Sequence, residues 1–418
     1  MSVKPKLFYN KWQKMDAWVR QKMCTWVTMK RNSRFMRTSL TGHFRDQFPL
    51  TEQTVFFNCG AKSPLPLGAY RRLQQFYQEN LIDAVLPRIQ ILEEHYLHLK
   101  THLAQLIHAQ PDEIAIIPNT SVGINIALNG IDLQPTDTVV LPKNDFPCNI
   151  YPWLEHARRH EFEIQFAGTF QHCTTDDILN AITPQTRVVS VSFVDYATGY
   201  CMDVARIGAE CHRRNILFVV DGIQGIGVKE LNVRAAQIDL LTCGGPKWLL
   251  TPFGIGFAYI RREAFSQIHP QFVGWLAYDW GDFTDFRSLD RQLRPDASRY
   301  EVGTLPHTAI AAFETILHDY FLPLGVPHIE AYLSDYTHEL ISLLESYGFR
   351  YAGPRAAHER SQILRVAAPG DTTAIYHQFR DHQVDISLRD GHLRFSPHFF
   401  NNGDDLDRLE SVLTQLKF

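Results

Sequence analysis

Between residues 113 and 260 the chain repeats one pattern, a short and almost uninterrupted apolar run followed by a longer stretch with helical spacing. The runs are EIAIIP (113–118), TVVLP (138–142), EIQF (163–166), RVVSVSFV (187–194), ILFVVD (216–221), IDLLTC (238–243) and GIGFAYI (254–260). A strand that is apolar on both faces needs cover on both, and successive strands joined by helical crossovers run parallel. The pattern therefore predicts an α/β fold with a large, mainly parallel sheet, and ligands bound beyond the strands' carboxyl ends. A helix from about residue 85 precedes the sheet, with Leu92, Leu99, Leu103 and Leu106 on one face. After Pro306 come a helical stretch, a long helix around 326–348, short strands near 361–367 and 384–395, and a closing helix from Asp404. That succession predicts a smaller α+β domain, which the N-terminal segment is placed to complete. The expected division is an arm over 1–43, a large domain over 44–310 and a small one over 311–418.

Composition narrows the class. With 418 residues, 45% of them hydrophobic and 21% charged, the chain has enough apolar mass for a large core, which excludes disorder and coiled coil. The net charge of -4 gives no reason to expect a nucleic-acid partner. The charge is uneven, however. Residues 1–45 hold eleven Lys/Arg against one acid, Asp16, leaving 30 basic against 44 acidic residues elsewhere. In that arm Trp12, Met15, Val19, Met23 and Trp26 recur at helical spacing among lysines, which reads as a basic amphipathic helix. Packing on the acidic body or on a partner subunit is the expected role, with membrane contact and an organellar transit segment as alternatives. No apolar run reaches the ~18–20 residues of a spanning helix, so a cytoplasmic location is expected. Seven cysteines without a CxxC pair fit neither a disulfide framework nor a structural zinc site. His95, His98 and His102 share a helix face, but no further ligand stands near them in the sequence, so a solvated face and no metal are expected.

The chemistry concentrates between Val219 and Ile260. Gly222, Gly225 and Gly227 lack the GxGxxG spacing, and Gly-Gly-Pro-Lys at 244–247 is not a phosphate-binding Walker loop. Asp221 ends an apolar strand, where a carboxylate is costly to bury without a cation or strong donors. Lys247 follows the next strand among Gly and Pro, at the same edge of the sheet. A structural salt bridge between the two is one reading. The other is a pyridoxal phosphate site, in which the lysine holds the cofactor's aldehyde carbon and the aspartate keeps the ring nitrogen protonated.

With these residues in view the chain, from about Phe44 onward, resembles the class V aminotransferases, fold-type-I pyridoxal phosphate enzymes that include cysteine desulfurases, kynureninases and isopenicillin-N-epimerase-like proteins. DGIQ (221–224) resembles the family's Asp-x-x-Gln, and GGPKWLLTPFGIGF (244–257) its lysine motif. The resemblance implies Asp221 on the ring nitrogen, Gln224 on the ring hydroxyl oxygen and Lys247 as the covalent anchor. NTSVGINIAL (119–128) opens a helix where the family binds phosphate, through backbone N–H groups with Thr120 and Ser121. NDFPCNIYPW (144–153) puts Phe146 where an aromatic ring stacks on the cofactor, and SFVDYATGY (192–200) puts Asp195 or Tyr196 nearby. RYEVGTLPHTAI (299–310) implies that Thr304 reaches the phosphate of the neighbouring subunit, hence a homodimer with shared sites. LRDGHLRFSPHFFNN (388–402) implies that Arg394 clamps the substrate α-carboxylate.

Two departures bear on the reaction. No cysteine follows Cys243, so the C-terminal thiolate that desulfurases use as sulfur acceptor is missing. Gly244 and Pro246 stand where relatives carry Ser and His, which leaves Lys247 as the evident proton carrier. The resemblance thus implies an enzyme acting on an α-amino acid through a Cα carbanion, foremost a lyase on a C–S bond. The alternatives are an aminotransferase, an epimerase, a kynureninase-like hydrolase, or a non-catalytic binding module on the same fold.

Overall fold

The computed structural model describes residues 44–82, 86–281 and 285–417, apart from the side chains of residues 80–92. The basic arm with Trp12 and Trp26 lies outside the described residues.

The first strand, β1 (Val55–Phe56), is short and leads into helices α1 (Leu67–Ile82) and α2 (Leu86–Ile107). The sheet strands follow as β2 (Ile114–Ile117), β3 (Thr138–Pro142), β4 (Glu163–Ala167), β5 (Thr186–Ser192), β6 (Leu217–Asp221), β7 (Leu240–Gly244) and β8 (Gly256–Ile260). They form one seven-stranded sheet of order β2-β8-β7-β6-β5-β3-β4. All seven apolar runs keep their strands to within two residues at each end. The fifth-strand run is shorter than its apolar length suggests, since Phe193 and Val194 turn into a loop. Five strands pair in parallel, while β8 runs antiparallel to both β7 and β2. The reversal follows from chain length: only eleven residues separate β7 from β8, too few for a helical crossover. Two antiparallel steps restore β2 to the direction of β7, so its carboxyl end shares the edge with those of β3, β5, β6 and β7.

Helix α3 (Thr120–Gly130) leaves that edge directly after β2. Asn119 caps it, its side-chain oxygen accepting from Val122 N–H at 3.1 Å. The helix lies tightly on β7: a Cβ at Gly123 would come within 2.0 Å of Thr242 Oγ1. One core fills the space on this side of the sheet, including Ile124, Leu141, Trp153, Val219 and Leu240, all buried.

Helix α4 (His307–Ile316) packs on α1 and α2 and is followed by α5 (Val326–Ser346). His95 and His102 of α2 turn toward Glu314 of α4, with Nδ1 atoms 3.5 and 3.8 Å from its carboxylate. They are therefore half-buried rather than on the solvated face expected, because α4 covers that side of α2. Strands β9 (Arg350–Tyr351), β10 (Leu364–Ala367), β11 (Val384–Asp385), β12 (Ser387–Arg389) and β13 (His392–Phe395) come next, before a closing helix, α6 (Gly403–Leu413). Four of them form an antiparallel sheet, β12-β13-β10-β9. Asp390 and Gly391, at φ 47° and 73°, make the tight left-handed turn that joins β12 to β13. One face of this sheet buries Leu364, Val366, Leu393 and Phe395 in a second core with α5 and α6. Burying a side chain such as Leu393 or Phe395 contributes about 1.5–3 kcal/mol. β11 pairs with β1 in parallel, Val55 opposite Val384, so β1 joins the C-terminal part of the chain. Arg45 strengthens that closure with a bidentate pair to Asp405, at 2.8 and 2.9 Å.

Candidate functional site

Loops after β2, β3, β5, β6 and β7 meet at the carboxyl edge of the large sheet, and the second sheet faces them with Arg394. Asp221, the last residue of β6, is 2% exposed. Its Oδ1 accepts from Ile223 N–H and its Oδ2 from Asn149 Nδ2, both at 2.9 Å. Neutral donors thus hold the carboxylate, rather than the salt bridge with Lys247 that the sequence left open. Burial raises its pKa, opposed by these hydrogen bonds and by the charge of Lys247.

Lys247 stands in the turn between β7 and β8. The turn is pinned on both sides, since Ser63 N–H donates to Pro246 O and His398 Nε2 to Trp248 O, each at 3.0 Å. The His398 ring is fully buried and accepts from Phe399 N–H through Nδ1, so it is neutral; burial lowers its pKa to about 4. Lys247 Nζ lies 5.5 Å from the centre of the Phe146 ring. Burial is the main cause that lowers the lysine to about 8; Asp221 opposes it and Arg394 adds to it. Phe146 is 41% exposed and meets Tyr196 edge to face, with ring centres 5.3 Å apart.

Thr120, the first residue of α3, is buried, and its hydroxyl accepts from Gly244 N–H at 3.0 Å. Ser121 beside it is exposed. The N–H groups of both point out of the helix start and meet no acceptor among the described residues. Gln224 is held firmly: Trp248 Nε1 donates to its Oε1 at 2.8 Å, and its Nε2 donates to Gly60 O at 3.1 Å. One amide hydrogen of Gln224 is left over for a ligand oxygen. Arg394 is 1% exposed. It donates to Tyr196 O at 2.8 Å and to Ser387 Oγ at 3.2 Å, while its Nε meets no partner. Burial and the neighbouring Arg389 lower its pKa to about 10. Thr304 is exposed and shares no hydrogen bond with these residues. Asp195 is tied into its own turn by Thr198, Ala197 and Asn144.

Sequence reasoning missed the residues behind Asp221. Asn149 Nδ2 reaches Asp221, Asp145 and Ser192 at 2.9, 3.0 and 2.9 Å, so a single amide links two buried carboxylates. Burial, the leading cause, lifts Asp145 to about 6 against its hydrogen bonds to Ser192 and Asn149. A signal was present, because Asn149 lies three residues after Phe146 in the segment already singled out. Cys148, 3.9 Å from Asp221, is held as the thiol, its pKa raised first by burial and then by the two carboxylates.

The arrangement offers an amine near neutrality, a buried acid, an exposed aromatic face, a helix start with free N–H groups and a buried guanidinium with an orphaned Nε. Pyridoxal phosphate has a complementary group for the first four: an aldehyde, a ring nitrogen, a flat ring and a phosphate. An amino acid's carboxylate suits the fifth.

A probable cysteine desulfurase of Methanothermobacter thermautotrophicus is 26% identical to this chain over 91% of it and 98% of the relative. An isopenicillin N epimerase of Streptomyces clavuligerus is 24% identical over 89% and 97%. Among solved structures, the cystine C–S lyase C-DES, in complex with its reaction product cysteine persulfide, superposes with a TM-score of 0.81 at 21% identity, covering 89% of this chain and 100% of that one. A C-DES mutant with glycine covalently linked to the PLP cofactor superposes with a TM-score of 0.82 at 20% identity, over 89% and 99%. The aminotransferase class-V family model matches residues 55–401, a span that contains each of the loops above as well as β13. The chain belongs to the class-V aminotransferase family and is a pyridoxal phosphate-dependent enzyme.

Proposed function

We propose that this enzyme is a lyase that breaks the Cβ–S bond of a cysteine-derived amino acid and releases the sulfur fragment without passing it to a thiol of its own. The observation that carries this reading is the combination of a lysine lowered to about 8 with the lack of any cysteine after Cys243. No cysteine follows Cys243, and Cys148, the thiol next to Asp221, is kept protonated. The likeness to a cystine C–S lyase supports the reading.

When bound, the cofactor supplies a carbon electrophilic toward amines and a ring that draws electrons from an attached Cα. The chain's own residues do the rest. Lys247 Nζ is the attachment point and, once free, takes the proton from the substrate Cα and carries it. Asp221, fixed by Asn149 and the Ile223 N–H, pairs with the ring nitrogen. Phe146 covers one ring face and keeps water from it. The N–H groups of Thr120 and Ser121, with their hydroxyls, hold the phosphate at the positive end of α3. Gln224 spends its remaining amide hydrogen on the ring hydroxyl oxygen. Arg394 receives the substrate α-carboxylate, which fills the place its orphaned Nε leaves for an acceptor. Thr304, exposed in the single chain, serves the phosphate of a partner subunit in a homodimer. The body divides near residue 310, a division supported by its two separate cores, and the enzyme works in the cytoplasm. Among the described residues no helix is long and apolar enough to cross a membrane.

The test is product analysis of the cofactor-loaded enzyme with cystine and S-alkyl cysteines. Pyruvate and ammonia, with no persulfide on the protein by intact-mass measurement, are expected. Alanine accompanied by a protein-bound persulfide would replace the lyase with a desulfurase.

A further inference from the structure

Trp248 follows Lys247 in the chain, and its side chain is fully buried. A buried indole is tolerated where its N–H finds an acceptor. Here the acceptor belongs to a residue of the cofactor site: Nε1 donates to Gln224 Oε1 at 2.8 Å. At the other end of the same amide, Nε2 donates to Gly60 O at 3.1 Å. Gln224 is 3% exposed and is held by its main chain as well, its carbonyl accepting from Gln362 Nε2 at 2.8 Å.

These two contacts admit one orientation of the amide. An indole N–H can only donate, and a main-chain carbonyl can only accept. Turned over, Gln224 would set Nε2 against the indole N–H and Oε1 against Gly60 O, two donors facing each other and two acceptors likewise in a buried place. In the orientation observed, Trp248 engages Oε1 and Gly60 takes one hydrogen of Nε2, so what remains on Nε2 is a second hydrogen. Accepting at Oε1 also polarises the amide and strengthens that hydrogen as a donor. Both neighbours are themselves fixed. His398 Nε2 donates to Trp248 O at 3.0 Å, with the two rings centred 5.5 Å apart, and Gly60 N–H donates to Ser396 Oγ at 3.0 Å.

We propose that Trp248 is a positioning residue for the cofactor: its indole N–H holds the Gln224 amide so that a donor faces the ring hydroxyl oxygen, which makes the nitrogen joining Lys247 to the cofactor a weaker base. The proposal rests on the reading of Gln224 at the ring hydroxyl oxygen and is independent of the lyase outcome. An ionised ring oxygen and a protonated joining nitrogen attract each other. A donor on the oxygen draws off part of its negative charge, so the nitrogen gives up its proton at lower pH. Without the indole N–H, Oε1 is left with no donor in a dry place, and the amide loses one of the two contacts that enforce its orientation.

The pH midpoint of the change in cofactor absorbance, measured on the loaded enzyme without substrate, reads that basicity and involves no turnover. Gln224→Leu removes the donor outright and is expected to raise the midpoint by roughly one unit. Trp248→Phe is expected to raise it by at least ~0.5 unit. Because a smaller ring at a fully buried position can cost the fold, a second variant carries β-(3-benzothienyl)alanine at 248, which keeps the size of the indole and has sulfur in place of its N–H. The same rise is expected there, with a melting curve close to that of the wild type. In the double variant Trp248→Phe/Gln224→Leu the two shifts are expected not to add, since both act through one amide. A shift for Gln224→Leu with the benzothienyl variant at the wild-type midpoint would overturn the role of Trp248 and keep Gln224 on the ring oxygen. Additive shifts would overturn it too, because Trp248 would then act by another route. No shift in any variant would remove Gln224 from the ring oxygen and the proposal with it.

Discussion

Capture of pyridoxal phosphate by the cofactor-free chain should accelerate with pH along the titration of one amine. Only neutral Nζ attacks an aldehyde, so the rate follows the deprotonated fraction of Lys247. Burial among Phe146, Trp248 and the β7–β8 turn lowers that amine from 10.5 to about 8. At pH 7 a lysine with the lowered value is ~10% neutral, against ~0.03% for an ordinary one, an advantage of ~300-fold. The neighbouring charges fix the direction in which substitutions move the midpoint. Asp221 holds the ammonium form, so Asp221→Asn should shift the midpoint down; Arg394 repels it, so Arg394→Gln should shift it up. Stopped-flow absorbance of covalent attachment, from about pH 6 to 10 with a blocked free lysine run in parallel, reports the midpoint after the cofactor's own titration is divided out. A midpoint that coincides with the free lysine, or one indifferent to both substitutions, would refute the claim that burial and these two charges set the reactivity of Lys247.

Three further outcomes are expected. Asp221→Asn should lower turnover at least ~100-fold while leaving the melting curve close to that of the wild type, because a neutral partner no longer keeps the ring nitrogen protonated; near-normal turnover would assign that nitrogen another partner. Arg394→Lys should raise KM for α-amino acids by ~10- to 150-fold, equivalent to about 1.5–3 kcal/mol of charged hydrogen bonding, and unchanged KM would remove Arg394 from the substrate. Gly123→Ala should destabilise the fold by about 1–3 kcal/mol, because the new methyl meets Thr242 Oγ1 at 2.0 Å and forces α3 off β7. An unchanged urea midpoint would contradict that packing.

How far the sequence reached follows a physical division. Strand positions were legible because both faces of the central strands are buried, so the apolar run and the strand nearly coincide, whereas the edge strand β4 alternates exposed and half-buried residues. Asp221 and Lys247 were legible for a related reason: a charge at the end of such a run, among glycines, has to belong to the sheet edge. What escaped were contacts made by folding rather than by order along the chain. Asn149 joins Asp221 and Asp145 across loops from different strands, and no spacing rule connects positions 149 and 221. The partners of Gln224, Trp248 and Gly60, lie far apart in the sequence. The order of the second sheet depends on register, which the short runs near 361–367 and 384–395 do not specify. The half-burial of His95 and His102 was likewise invisible until α4 was seen to lie over α2.

The pairing of β1 with β11 makes completion of the active site an event of late synthesis. Val55 leaves the ribosome roughly 330 residues before Val384, which at ~5–20 residues per second is about 16–66 s. Joining ends so distant costs about 5 kcal/mol of loop entropy, so the contact forms late even after both strands exist. During that interval the large sheet, contiguous between residues 114 and 260, can fold on its own account. The Gly60 loop, which fixes Gln224 on one side and lies against Arg394 on the other, has no anchor until the C-terminal strands arrive. A nascent chain thus carries Lys247 early and Arg394 last.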